Sequence, residues 1–116
     1  MTDVSAKLQN FRVSPRKARL VADSIRGRQV EEALNVLDLS PKRFARPLAK
    51  LVRSAVANAE DKNNREKAGI DVDNLVVSWI TVDEGSRMWR IRPRAQGRAN
   101  WIAHRTSHIT VKLEER

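Results

Sequence analysis

The stretch LVVSWITVDEGSRMWRIRPRAQGRANWIAHRTSHITVKLE (75–114) decides the fold. Both of its ends read as strands. Leu75 to Val82 is rich in β-branched and aromatic residues. His108 to Glu114 alternates, with Ile109, Val111 and Leu113 facing one way and Thr110, Lys112 and Glu114 the other. Residues 83–106 hold few apolar side chains, diluted among Arg and Gly. Continued as an antiparallel hairpin, the two strands turn near Pro93 to Gly97. Each leg then runs roughly ten residues past the core, or about 30 Å at ~3.3 Å per residue. Such an arm buries too little to stand alone, so it needs a partner. Asp83 and Glu84 mark its base rather than an acid/base pair, with Gly85 as a bulge.

Upstream, the apolar spacing predicts three helices. The first opens at Ser14-Pro15, a cap followed by Pro at the first helical position. Its stripe is Ala18, Val21, Ala22 and Ile25, it stops near Gly27, and Arg19 and Asp23 are spaced to pair. The second carries Val30, Ala33, Leu34 and Leu37 on one face, with Glu31 and Glu32 at its positive end. The third opens at Ser40-Pro41, with Phe44, Leu48, Leu51, Ala55 and Ala59 as its stripe. Pro47 predicts a kink or a loose first turn there, and the small residues of SAVANA (54–59) permit close approach of another backbone. Residues 61–74 read as a loop in which Asp71 and Asp73 form turns. A further strand lies around Ala6 to Val13. The fold class is α+β: three helices packed on a small antiparallel sheet, two strands of which extend into a long basic β-hairpin arm. We expect one domain, with a body of residues 1–83 and 105–116 and an arm of about 84–104.

Charge is the second signal. The chain has 116 residues, 23 Lys and Arg against 14 Asp and Glu, and no Cys. Residues 7–28 hold seven basic side chains and one acid, residues 29–83 eight basic and nine acidic, and residues 84–116 eight basic and three acidic. A near-neutral middle is thus flanked by two basic blocks. Gly85 to Arg105 contains six Arg (Arg87, Arg90, Arg92, Arg94, Arg98 and Arg105) and no acid. Arg alone favours planar, forked contacts to phosphate or stacking on bases. The partner of such a surface is nucleic acid. Arg16 and Lys17, in the first turn of the first helix, suit a phosphate at its N-terminus. Trp89 and Trp101 admit two readings, stacking on bases or packing across the hairpin.

Other function classes find little support. No apolar run approaches the ~20 residues of a spanning helix, and MTDVSAKLQNFRVSP (1–15) lacks the apolar stretch of a signal peptide. We expect no membrane partner. His104 and His108 lie about 13 Å apart on a strand among cations, so no metal site is expected; His108 suits a hydrogen bond to RNA or backbone. No Gly-rich phosphate loop, nucleophile elbow or metal motif occurs, so no catalytic residue and no cofactor is expected. A free nucleic-acid-binding module would need a self-contained folded surface, which the arm argues against. An RNA-processing enzyme would need clustered carboxylates or a histidine base.

SPRKARLVADSIRG (14–27), SAVANAE (54–60), VDEG (82–85), PRAQGRA (93–99) and RTSHITV (105–111) resemble, in order and spacing, the signature blocks of the universal large-subunit ribosomal protein twenty-two family in its bacterial form. The resemblance runs from about Ala6 to the C-terminus. It implies a body on the surface of the large ribosomal subunit, in the cytoplasm, and a hairpin whose tip lines the nascent-peptide exit tunnel. It also implies contacts with several domains of the ribosomal RNA, support of assembly, and a hairpin linked to macrolide sensitivity and nascent-peptide sensing. The expected partners are large-subunit ribosomal RNA, neighbouring ribosomal proteins and the nascent peptide, not a second copy. Carried onto this chain, RNA contact is expected of Arg12, Ser14, Arg16, Lys17, Arg19, Arg26, Arg87, Arg90, Arg92, Arg94, Arg98, Arg105, Thr106, Ser107 and His108. The tunnel tip is expected to be Met88, Trp89, Arg90, Ile91, Arg92, Pro93, Arg94, Ala95, Gln96, Gly97, Arg98 and Ala99. Trp89, Arg92 and Gln96 depart from the family's usual residue types, and the resemblance assigns no contact to Trp89 or Gln96.

Overall fold

Two antiparallel strands far longer than the rest dominate the molecule, β2 (Leu75–Pro93) and β3 (Ala99–Glu115). The computed structural model describes residues 3–67, 69–93 and 95–115, with Asp3, Asn100 and Ile102 as backbone only. The other elements are β1 (Asp3–Phe11), α1 (Pro15–Ile25), α2 (Val30–Leu39), α3 (Ala45–Glu66) and the single 3₁₀ turns Val72–Asn74 and Ala95–Gly97. The sheet order is β1-β3-β2. β1 pairs β3 from Asp3↔Glu114 to Phe11↔Ser107, and β2 pairs β3 from Leu75↔Glu115 out to Pro93↔Ala99. Beyond Ser107, therefore, β3 has β2 as its one sheet neighbour. That two-stranded ribbon is the expected arm, and it stretches the molecule to 65 × 28 × 16 Å.

The helices cover one face of the sheet. Ile25, Leu37, Leu48 and Val52 meet Leu75, Val77, Ile80, Ile109, Val111 and Leu113 in a continuous core. LVVSWITV does not alternate strictly, and a bulge between Val77 and Trp79 explains why. Leu75 and Val77 point into the core before it, Ile80 and Val82 after it. The extra residue turns Trp79 outward, where the Lys112 ammonium lies 5.6 Å from its ring. The second shift, between Glu84 and Arg87, is the bulge expected at Gly85.

Several boundaries differ from the sequence reading. Ser14 occupies the N-cap position of α1 without a side-chain capping bond. Gly27, just past α1, adopts φ +80° and donates its N–H to the Val77 carbonyl. Arg19 does not pair with Asp23; Arg26 does, at 2.5 Å. α3 starts at Ala45, not at Ser40-Pro41, and Ser40 closes α2. Pro47 is consequently the third residue of α3, where the missing N–H has no intrahelical partner to lose, and the expected conflict does not arise. α3 also runs through residues 61–66, which read as loop. Asn63 explains this extension, since its side chain donates to and accepts from the backbone of Ile70, both at 2.7 Å. Lys67 then ends the helix in the left-handed region, φ 49°. Asp71 forms its expected turn, accepting from the Asp73 N–H and the Asn74 side chain. SAVANA does receive a backbone: Ala55 and Ala59 are fully buried, and Asn58 donates to the Ser5 carbonyl of β1 at 2.9 Å.

Candidate nucleic-acid interface

Three grooves follow one another along the molecule and share their walls. The first is lined by Lys7, Leu8, Phe11, Arg46 and Lys50. The second adds Arg12, Lys17, Lys42, Arg43 and Phe44 to the same Phe11. The third joins the same Arg12 to Asn10, Met88, Arg90, His104 and Thr106 at the root of the arm. One basic tract thus runs from α3, past the start of α1, onto the hairpin. Along it, Lys7, Lys17, Lys42, Arg43, Arg46, Lys50 and Arg90 are exposed and make no ion pair among the described residues.

The sequence reading placed Lys42, Arg43, Arg46 and Lys50 in the near-neutral middle and missed them. Counting residues 29–83 as one block averages them against Glu60, Asp61 and Glu66. The signal was their spacing: residues 42, 43, 46 and 50 fall on one side of a helix and its lead-in, with no acid among them. The placement also works against the fold. Arg16 and Lys17 occupy the first turn of α1 and Arg46 that of α3, and neither turn holds an acid. Helix N-termini carry partial positive charge, so a cation there costs about 0.3–1 kcal/mol where an acid would stabilise. Paired with oriented N–H groups, the same arrangement attracts anions.

Two hydrogen bonds tie the end of β1 and the residue after it to β3, one at the arm and one just below it. Arg12 Nη2 donates to His104 Nδ1 at 2.7 Å, and the Asn10 N–H donates to His108 Nδ1 at 3.1 Å. Asn10 adopts φ 55° at the irregularity that ends β1. The backbone contact expected of His108 is this one. Thr106 donates to the Ser86 carbonyl across the bulge at 2.7 Å. At the neck, Arg87 and Arg105 face each other across the strands, an unfavourable pairing of like charges. Glu84 relieves it, receiving Arg87 Nε at 2.8 Å. The Glu84 carboxyl is held below its ordinary value chiefly by the Arg87 hydrogen bond and charge.

Not every expected site residue lies on this surface. Ser107 is fully buried and donates to the Val13 carbonyl at 2.7 Å, a correction to its reading as an RNA contact. Its place in the sequence block reflects packing at the junction of β1 and β3. Arg26 donates to the Ile80 carbonyl at 2.8 Å and Arg19 to the Val82 carbonyl. β2 is an edge strand, and these guanidiniums satisfy carbonyls that lack a ladder partner. Arg92 and Arg98 are exposed on the arm; Arg94 lies outside the described residues. Strand alternation puts Met88 and Arg90 on the face lined by Arg12 and His104. Trp89, Ile91 and Trp101 share the other face, where Trp89 pairs with Ala103 and Ile91 with Trp101. These three side chains are 57%, 58% and 65% exposed, so packing across the hairpin leaves most of their surface open. The turn at the tip puts Gln96 and Gly97 in the left-handed region, φ 62° and 71°.

Among the described residues no group of three His, Asp or Glu could hold a metal ion, and no helix is long and apolar enough to cross a membrane. Helices on one face of a sheet, an arm of two strands and a continuous cationic tract define the class as a basic α+β protein with an extended hairpin. Comparison agrees: the family model described as ribosomal protein L22p/L17e matches residues 6–114. A relative in Maridesulfovibrio salexigens, the large ribosomal subunit protein uL22, is 55% identical over 105 residues, covering 90% of this chain and 91% of its own. The chain belongs to the ribosomal protein L22p/L17e family, whose bacterial members are structural, non-enzymatic constituents of the large ribosomal subunit in the cytoplasm.

Proposed function

We propose that this chain binds large-subunit ribosomal RNA along the continuous basic tract, aids assembly of the subunit, and lines the nascent-peptide exit tunnel with the tip of its hairpin. The observation that carries the reading is the sharing of Phe11 and Arg12 between successive grooves, which makes body and arm one cationic surface. Cations placed against two helix dipoles support it, because they weaken the free fold and gain only when phosphate is bound. Arg16, Lys17, Lys42, Arg43 and Arg46 take phosphates near the body; Arg90, Arg92, Arg94 and Arg98 take them along the arm. Arg19 and Arg26 contribute through the N–H groups the sheet edge leaves over. Trp89 and Trp101 stack on unpaired bases. The body, residues 1–83 and 105–116, holds the core and the main anchor. The arm, about 84–104, gains its stability from RNA on its flanks and meets the nascent peptide at its turn. One copy serves one subunit, beside neighbouring ribosomal proteins.

Binding to purified large-subunit RNA as a function of salt tests this. Removing the charge that meets one phosphate should lower the slope by about 0.7–0.9. Replacing Lys42, Arg43 and Arg46 together by Ala should lower it by roughly 2 to 3 units, and an unchanged slope would overturn the assignment of the tract.

A further inference from the structure

Three exposed acids, Glu31, Glu60 and Asp73, lie together where the basic tract does not reach. α2, α3 and the 3₁₀ turn Val72–Asn74 enclose a groove of about 330 Å³, floored by Leu34, Val56 and Val72 and rimmed by Glu31, Glu60 and Asp73. The floor side chains are half-buried against the core and the three acids are exposed. Arg53 also lines the groove, but it is committed to Asp38 at 3.4 Å. The carboxylates of Glu31, Glu60 and Asp73 make no ion pair or hydrogen bond among the described residues. The groove is therefore an apolar strip with an unneutralised negative rim on a chain whose formal net charge is +9.

We infer that this groove docks a Lys- and Arg-rich extended segment of a neighbouring ribosomal protein. The inference rests on the reading that the chain works inside the large subunit, where its neighbours are RNA and protein. Three uncompensated carboxylates repel a phosphate chain and attract ammonium and guanidinium groups, so charge alone selects between those neighbours. The floor adds an aliphatic seat between the charges, as in an interface with an apolar centre and polar rim. The volume lies at the small end of the ~300–1,000 Å³ range of ligand pockets, which suits a few side chains of a passing segment. This chain's own stretch from Gly85 to Arg105 shows the composition required: Arg interleaved with Trp, Ile and Pro and free of acids.

The test uses the full chain in assembled subunits. A photo-crosslinking benzoylphenylalanine replaces Ala57, an exposed residue of the groove wall. Purified large subunits are irradiated, and the adducts are digested and identified by mass spectrometry. The expected adduct is a protein peptide of net positive charge. Its yield should fall at least fivefold in the Glu31→Lys, Glu60→Lys variant, with occupancy of the subunit unchanged. An adduct with RNA, with a second copy or with an acidic segment would overturn the inference, as would no adduct or a yield indifferent to charge reversal. Occupancy is measured first with the unsubstituted chain. Its absence from large subunits would instead overturn the ribosomal reading, and this inference with it.

Discussion

The guanidinium of Arg19 donates both Nε and Nη2 to the carbonyl of Val82, at 3.2 and 3.0 Å. The contact pins α1 to the edge strand immediately before the hairpin leaves the core. A hydrogen bond from a charged donor contributes roughly 1.5–3 kcal/mol, less where the site is partly exposed. We expect Arg19→Ala to destabilise the free protein by about 1–2 kcal/mol and Arg16→Ala to stay within about 0.5 kcal/mol, both by urea unfolding. Equal losses would mean that the sheet-edge contact carries no weight.

The cations at helix N-termini predict a trade-off. Arg46→Glu removes an unfavourable charge from the first turn of α3 and adds a favourable one. The free protein should gain about 0.6–2 kcal/mol while RNA binding weakens and its salt slope falls. Thermal melts and filter binding read the two effects separately, and a variant weakened in both would mean that Arg46 is structural.

The hairpin bulge depends on Gly85 for space. A Cβ built there sits 2.5 Å from Thr106 Oγ1, 3.1 Å from the Thr106 carbonyl oxygen and 3.2 Å from His108 Nε2. The carbonyl is backbone of β3 opposite the irregularity between Glu84 and Arg87 and the hydroxyl is bonded to Ser86, so neither yields freely. Gly85→Ala should destabilise by roughly 1–3 kcal/mol, as overpacking does, and should shift the amide resonances of Asn10 and Ser86. Unchanged spectra would contradict the close approach.

The neck also carries a pH signature. Because Glu84 is depressed by Arg87, its pairing supports the fold above the ordinary carboxylate range and is lost as pH falls through the lowered value. The Glu84 carboxyl, followed by NMR, should titrate below the ordinary range in the native protein and return toward it in Arg87→Ala. Identical midpoints in the two proteins would rule out the pairing.

The sequence carried the strands, the arm and the first two helices because their patterns are local. Ile109, Val111 and Leu113 alternate in the chain as they do in the sheet, and Ala18, Val21, Ala22 and Ile25 repeat at helical spacing. The length of α3 was hidden because its end depends on Asn63 gripping Ile70 across a turn. The backbone contacts of Arg19 and Arg26, both expected to meet RNA, were not legible, since a residue's type does not reveal an open carbonyl on a neighbouring strand. Ser107 looked like part of a contact block for the same reason. The tract from Lys50 to Arg90 was invisible as such, because it joins three segments distant in sequence through Phe11 and Arg12.

On the proposed function, the body anchors the chain and the arm reaches out from that anchor. Deleting residues 88–99 removes Arg90, Arg92, Arg94 and Arg98 but leaves all three helices, β1 and the body tract. The deciding measurement is the stoichiometry of this variant, expressed as the sole copy, in salt-washed large subunits. We predict about one copy per subunit, as expected when one copy serves one subunit and the body tract retains most phosphate contacts. Absence of the variant from assembled subunits, although the isolated protein folds, would make the arm the anchor and reverse the two roles.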